Sequence, residues 1–163
     1  MSVIDDLLTH NAAYSASFAK GELAAPPARE VAVITCMDAR IETGRMLGIE
    51  EGNAHVIRNA GGIVTDDVIR SLVLSQRLLG TRSVMLIQHT RCGVMNLAEP
   101  ELRRALFDDC GQTPSFSFCG FPDLEQSVRD SVQRIRTSAF LPHTDDVRGF
   151  VYDVESGGLG EIR

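Results

Sequence analysis

The chain has 163 residues, 44% hydrophobic and 23% charged, with a formal net charge of −6. That is one ordinary domain, long enough to bury roughly 70% of its unfolded surface without covalent staples. The acidic balance argues against nucleic acid or an anionic membrane as a partner, and the densest basic spot, Arg103-Arg104, reads as a solvated helix face. No stretch approaches the roughly 18 apolar residues of a membrane span.

The opening "MSVIDDLLTH" is acidic with a short apolar run, so no export leader and a cytoplasmic setting are expected. In that setting the four cysteines are expected as thiols or metal ligands rather than disulfides.

Residues 2–21 read as an N-terminal helix, with Ser2 and Asp5 as a capping box and Gly21 as its stop. Its apolar residues Ile4, Leu7, Leu8 and Phe18 form an uneven stripe, which suits an arm (residues 1–22) packed on the domain or on a partner subunit. Pro26-Pro27 then forbids helix. Val31–Cys36 is a strand whose unbroken apolar run implies burial on both faces, as in a parallel sheet. Ala54–Arg58 is the second strand. Thr65–Leu79 is a helix capped by Thr65, favoured by Asp66 and Asp67 at its positive end, and stopped by Gly80. Ser83–Gln88 is the third strand. Pro100–Phe107 and Pro122–Arg136 are helices, each opened by a proline. Arg148–Val154 is a last long strand, and "ESGG" is a hairpin turn into "LGEI". Strands alternating with helices indicate a single α/β domain over residues 1–163, with a mainly parallel sheet and a short antiparallel C-terminal strand.

In open α/β sheets, ligands sit at the carboxyl ends of strands where the strand order reverses. Cys36 ends the first strand, His89 follows the third, and Cys92 lies three residues on, in a turn that Gly93 helps to form. If the first and third strands are neighbours, these residues meet at the switch point. Two thiolates and one imidazole suit tetrahedral Zn²⁺, with Asp38 or water in the fourth position. The plainer alternatives are a closed structural zinc site, or buried thiols beside a chance histidine.

Three motifs then carry a family resemblance. Cys36-Met37-Asp38-Ala39-Arg40, Arg58-Asn59-Ala60-Gly61-Gly62 and His89-Thr90-Arg91-Cys92-Gly93 occur in the order and spacing of the beta-class carbonic anhydrases. The chain resembles that family closely over residues 30–95, and elsewhere by element order. The resemblance implies one zinc on Cys36, His89 and Cys92, with Asp38 and Arg40 as a catalytic dyad. It implies a sheet of order 2-1-3-4 and a homodimer or dimer of dimers, with the site at the subunit interface and the N-terminal helix wrapping the partner. It also implies reversible hydration of CO2 to bicarbonate by hydroxide formed on zinc. Asp38 would accept a hydrogen bond from that hydroxide. Arg40 would hold Asp38 off the metal, and in a closed state Asp38 would be the fourth ligand. Two thiolates cancel the charge of the ion, whereas three histidines do not, so activity is expected to rise above neutral pH.

Position 39 is Ala where Ser is commoner in the family. Pro26-Pro27-Ala28-Arg29 stands where plant-type members place a substrate-binding Gln, and no Trp is present for the bicarbonate pocket of some bacterial members. Carbonyl sulfide or carbon disulfide hydrolysis on the same zinc set is the alternative activity. A non-catalytic zinc-stabilised or bicarbonate-sensing module is the alternative of another class. Arg91 either adds charge near the metal or faces solvent. Cys110 and Cys119 read as free thiols, His55 as packing, and His10 and His143 as surface residues. Met37 reads as core or pocket wall, and Gly61 and Gly62 as points of close backbone approach.

Overall fold

The structure is a computed structural model and describes residues 2–163. Helix α1 (Val3–Ala16) begins as the sequence requires: Ser2 Oγ accepts from Asp5 N at 3.1 Å, and Asp5 Oδ2 accepts from Ser2 N at 2.7 Å. It stops at Ala16, short of Gly21, where the Ser17 N–H turns back to Tyr14 O. Just beyond, Lys20 and the Tyr14 hydroxyl converge on Glu51.

Next come β1 (Val31–Cys36), α2 (Thr43–Leu47), β2 (Ala54–Asn59) and a 3-10 turn (Ala60–Gly62). They are followed by α3 (Asp66–Leu79), β3 (Ser83–His89), α4 (Glu99–Cys110), α5 (Leu124–Arg136), β4 (Val147–Tyr152) and β5 (Leu159–Ile162). Thr65 caps α3 through its hydroxyl, and Gly80 ends it in the left-handed region, as expected. Pro122 does not open α5. It precedes the cap, which is Asp123, whose carboxylate accepts from Gln126 N at 2.9 Å. β4 ends at Tyr152 rather than Val154, because Asp153 draws the chain into a turn by accepting from Glu155 N and Ser156 Oγ. The short α2 and the 3-10 turn carry too little periodicity to be read from sequence.

The sheet order is β2-β1-β3-β4-β5. The first four strands are parallel and β5 is antiparallel to β4, which gives the expected 2-1-3-4 order with an antiparallel C-terminal edge. β1 is buried on both faces except at Val31. Ala32 and Ile34 of β1 share one core with Val84 and Leu86 of β3, Val68 and Leu72 of α3, and Val128, Val132 and Ile135 of α5. A smaller apolar cluster, built on Ile41 and Phe121, surrounds Cys36 and Cys92. Because the chain leaves β1 for β2 on one side and returns to β3 on the other, the switch point lies between the ends of β1 and β3.

The basic pair Arg103-Arg104 divides. Arg104 is exposed, but Arg103 is half-buried and donates to the carbonyls of Pro114 and Phe116 as well as to Glu99. Met37 is 65% exposed and is not core. His55 packs, with Nδ1 2.7 Å from Ser75 Oγ. His10 is exposed, whereas His143 is half-buried, its backbone tied to the Gln76 amide. Asp66 and Asp67 pair with Arg134 and Arg70 at the start of α3. Cys110 and Cys119 are free.

Candidate metal centre and active site

Cys36 closes β1 and His89 closes the neighbouring β3. Cys92 follows in a turn closed by Met95 N donating to Cys92 O at 3.1 Å. The three ligating atoms lie within 4.8 Å of one another, and all three residues are buried. The spacing therefore brings together the residues expected to meet.

The histidine is preset. Its Nδ1 lies 2.9 Å from Thr90 O. A carbonyl only accepts, so in the neutral ring the proton sits on Nδ1 and the lone pair on Nε2. Nε2 is buried and has no hydrogen-bond partner among the described residues. An unmet buried acceptor costs about 1–3 kcal/mol, and a cation would meet it.

The thiols argue the same way. Burial opposes a Cys36 thiolate, but the His89 ring and the N–H groups of Asp38 and Gly61 prevail and bring the thiol down to about 7. Burial pushes Cys92 up, against the Val94 N–H, and the adjacent Cys36 adds to the rise. Burial also opposes a charged His89, yet Cys36 beside it pushes that group up. One thiolate thus hinders the next until a cation compensates both. The donor set fits a metal ion.

Asp38 and Arg40 form the two-point pair expected of them. Arg40 Nε donates to Asp38 Oδ1 at 2.9 Å and Nη2 donates to Oδ2 at 2.7 Å. The Arg40 backbone N–H adds a third bond to Oδ1 at 2.9 Å. The Arg40 side chain, then its backbone, hold the Asp38 carboxyl well below the usual carboxylate range. Oδ2 lies 3.8 Å from His89 Nε2, so the carboxylate stands beside the cluster while the guanidinium grips it. Arg91 turns outward, to Glu155 at 2.9 Å.

Two residues of the Arg58–Gly62 motif make bonds at the site that their spacing did not assign. Arg58 donates to Cys36 O at 3.0 Å and to Asp38 O at 2.7 Å, tying down the turn that carries both residues. Gly61 N–H points at Cys36 Sγ, 3.3 Å away. The motif Arg58–Gly62 is visible in the sequence, but no spacing rule assigns these bonds. They follow from the parallel register that pairs Thr35 with Arg58 and Cys36 with Asn59.

Comparison with known proteins agrees with this geometry. The carbonic anhydrase family model matches residues 31–109. Beta-carbonic anhydrase 1 of Mycobacterium tuberculosis is 49% identical over 162 residues, covering 99% of both chains. A carbon disulfide hydrolase of Saccharolobus solfataricus is 38% identical over 96% of this chain and 87% of its own. The crystal structure of a carbonic anhydrase from Streptococcus mutans superposes with a TM-score of 0.93 at 37% identity, covering 100% of this chain and 99% of that one. Identity of this extent, on a buried Cys-His-Cys cluster flanked by an arginine-held carboxylate, places the chain in the beta-carbonic anhydrase family.

Proposed function

We propose that the protein catalyses reversible hydration of CO2 to bicarbonate, with zinc held by Cys36, His89 and Cys92. The observation that carries the reading is the Asp38 carboxylate, clamped by Arg40, 3.8 Å from the unpartnered His89 nitrogen. A purely structural metal site needs no such carboxylate. Two sulfurs and one imidazole nitrogen are a usual zinc set, and three protein donors leave one position for water or substrate. When bound, zinc supplies the Lewis acidity that makes water nucleophilic at moderate pH.

The residues of the chain supply direction. Asp38 Oδ1 accepts two N–H bonds from Arg40 and Oδ2 accepts one, so Oδ2 keeps a free lone pair. An ionised carboxylate donates nothing, so it engages only an oxygen that carries a proton. That contact turns the hydrogen towards Asp38 and leaves the oxygen lone pair for the CO2 carbon. Arg40 is anchored in turn, with Nη2 3.1 Å from Arg91 O. The two-point pair holds Asp38 away from the ligand role it would take in a closed state. Ile41, Phe121, Val94 and Met95 pack around Cys36 and Cys92, an apolar setting that suits chemistry on an uncharged linear substrate.

The same first neighbours serve carbon disulfide or carbonyl sulfide, and the relative named for carbon disulfide favours that as the second reading. A non-catalytic module has no comparable support. We place the working unit as a homodimer or dimer of dimers. Val3, Ile4, Leu7 and Leu8 of α1 are all at least 60% exposed, and α1 buries no residue on its own domain. Buried reduced thiols suit the cytoplasm, and no helix among the described residues is long and apolar enough to cross a membrane.

Stopped-flow CO2 hydration by zinc-loaded protein, at neutral and mildly alkaline pH and beside a carbon disulfide assay, tests the reading. Rapid CO2 turnover that rises with pH is expected. Carbon disulfide turnover without CO2 turnover moves the assignment to the second reading.

A further inference from the structure

Two consecutive carbonyls orient the two halves of the site. Thr90 O receives the His89 Nδ1 proton at 2.9 Å, and Arg91 O receives Arg40 Nη2–H at 3.1 Å. Neither carbonyl belongs to a strand, since β3 ends at His89, and Arg91 sits at φ +54°. A non-glycine residue holds that conformation only when its surroundings over-determine it.

The surroundings are the turn between β4 and β5. Thr90 N donates to Tyr152 O at 3.0 Å. The Thr90 hydroxyl donates to Asp153 Oδ1 at 3.2 Å and accepts from Val154 N at 3.1 Å. Arg91 pairs with Glu155. Asp153 is itself fixed, accepting from Glu155 N at 3.1 Å and from Ser156 Oγ at 2.7 Å. The turn closes through Asp153 N to Gly158 O at 2.9 Å and Gly157 N to Asp153 O at 2.8 Å. A rigid turn distant in sequence thus grips the two residues whose carbonyls aim His89 and Arg40. The Arg91–Glu155 pair is more than half exposed at both ends, where ion pairs contribute little, so the grip rests on Thr90 and Asp153.

We propose that Asp153 and Thr90 are positioning residues of the metal centre: through the Thr90 hydroxyl, the β4–β5 turn fixes the imidazole plane of His89. The proposal rests on reading Cys36, His89 and Cys92 as zinc ligands. Partners one step beyond a ligand orient it, and their loss commonly weakens metal binding.

Zn²⁺ affinity, measured by competition with a chromophoric chelator, and the visible spectrum of the Co²⁺-substituted protein test it without reference to turnover. Thr90→Val is nearly isosteric and removes only the hydroxyl bonds, whereas Asp153→Ala removes the anchor. Both are expected to weaken Zn²⁺ binding by about 10-fold to 100-fold and to shift the Co²⁺ spectrum. Thr90→Ser keeps the hydroxyl and restores both readouts. Glu161→Gln breaks the Arg148 pair across the same hairpin without touching residue 90, and leaves both unchanged. Unchanged affinity and spectrum in Thr90→Val and Asp153→Ala, or an equal loss in Glu161→Gln, would overturn the proposal by reducing these residues to hairpin stabilisers. Wild-type protein that binds Zn²⁺ yet hydrates no CO2 would sink the functional reading, while the affinity series would still decide this one.

Discussion

Gly62 shows how tightly single residues are fitted around the site. Its φ is +62°, and an added Cβ would lie 2.9 Å from Cys36 N and 3.0 Å from Ile87 O, both backbone atoms of the strands that carry the proposed ligands. Gly48 has nearly the same φ, +61°, with no described atom within 4 Å of an added Cβ. The pair separates strain from crowding. Gly48→Ala is expected to lose about 1–2 kcal/mol from the left-handed conformation alone. Gly62→Ala is expected to lose more and to weaken metal binding, because Cys36 must shift. Urea denaturation midpoints for the two variants check this, and equal losses would contradict it. The close approach at Gly62 was legible as a glycine pair beside a motif. The Cys36, His89 and Cys92 set was legible because strand ends and ligand types coincide. Arg58 was not legible in its role, because a guanidinium bound to two carbonyls leaves no pattern in spacing.

Most elements announced themselves. The capping box of α1, the Thr65 cap and Gly80 stop of α3, and the two-sided burial of β1 follow from residue types at fixed offsets. The long segment after α4 did not, because a side chain from the helix before it pins its carbonyls. Arg103 donates to Glu99, Pro114 O and Phe116 O, and lies over the Phe118 ring at 5.6 Å. Charge patterning alone reads such a residue as solvated. Arg103→Ala is expected to cost about 2 kcal/mol, the scale of hydrogen bonds to a charged group, and to speed amide exchange across residues 111–119. The same knot sets a pH dependence. The Arg103 side chain holds the Glu99 carboxyl below its usual value, so its stabilisation is full above the ordinary glutamate pKa of about 4.3 and fades as pH falls through the lowered value. Glu99→Gln is therefore expected to flatten the acid limb of the stability curve and leave its slope near neutrality unchanged. An unaltered acid limb would count against the pairing.

At the scale of the whole molecule, α1 is the part that the rest does not explain. It presents Val3, Ile4, Leu7 and Leu8 to solvent and is tied back near its end, through Tyr14 and Lys20 to Glu51. Hydrophobic area of that kind is stabilising when covered, at about 25 cal/mol per Å², and a second copy of the chain covers it in the proposed dimer. Sedimentation velocity is expected to show a dimer or larger for the wild type and a shift towards monomer for the Ile4→Glu/Leu8→Glu variant. A monomeric wild type would contradict the proposal. The mainly parallel sheet was legible from alternating elements, and its order from the resemblance that the three motifs carry. The partner of α1 is not encoded within one chain's periodicity. Turnover is where the scales meet, since it needs the ligands, the clamp on Asp38 and the folded sheet at once. The most direct measurement is kcat for CO2 hydration by zinc-loaded wild type and Asp38→Asn, with zinc content determined on both. Equal zinc content with kcat lower by about 100-fold or more in the variant is expected, in line with losing a positioned proton-bond acceptor. Equal zinc content with unchanged kcat would show that the carboxylate beside the cluster takes no part in the reaction.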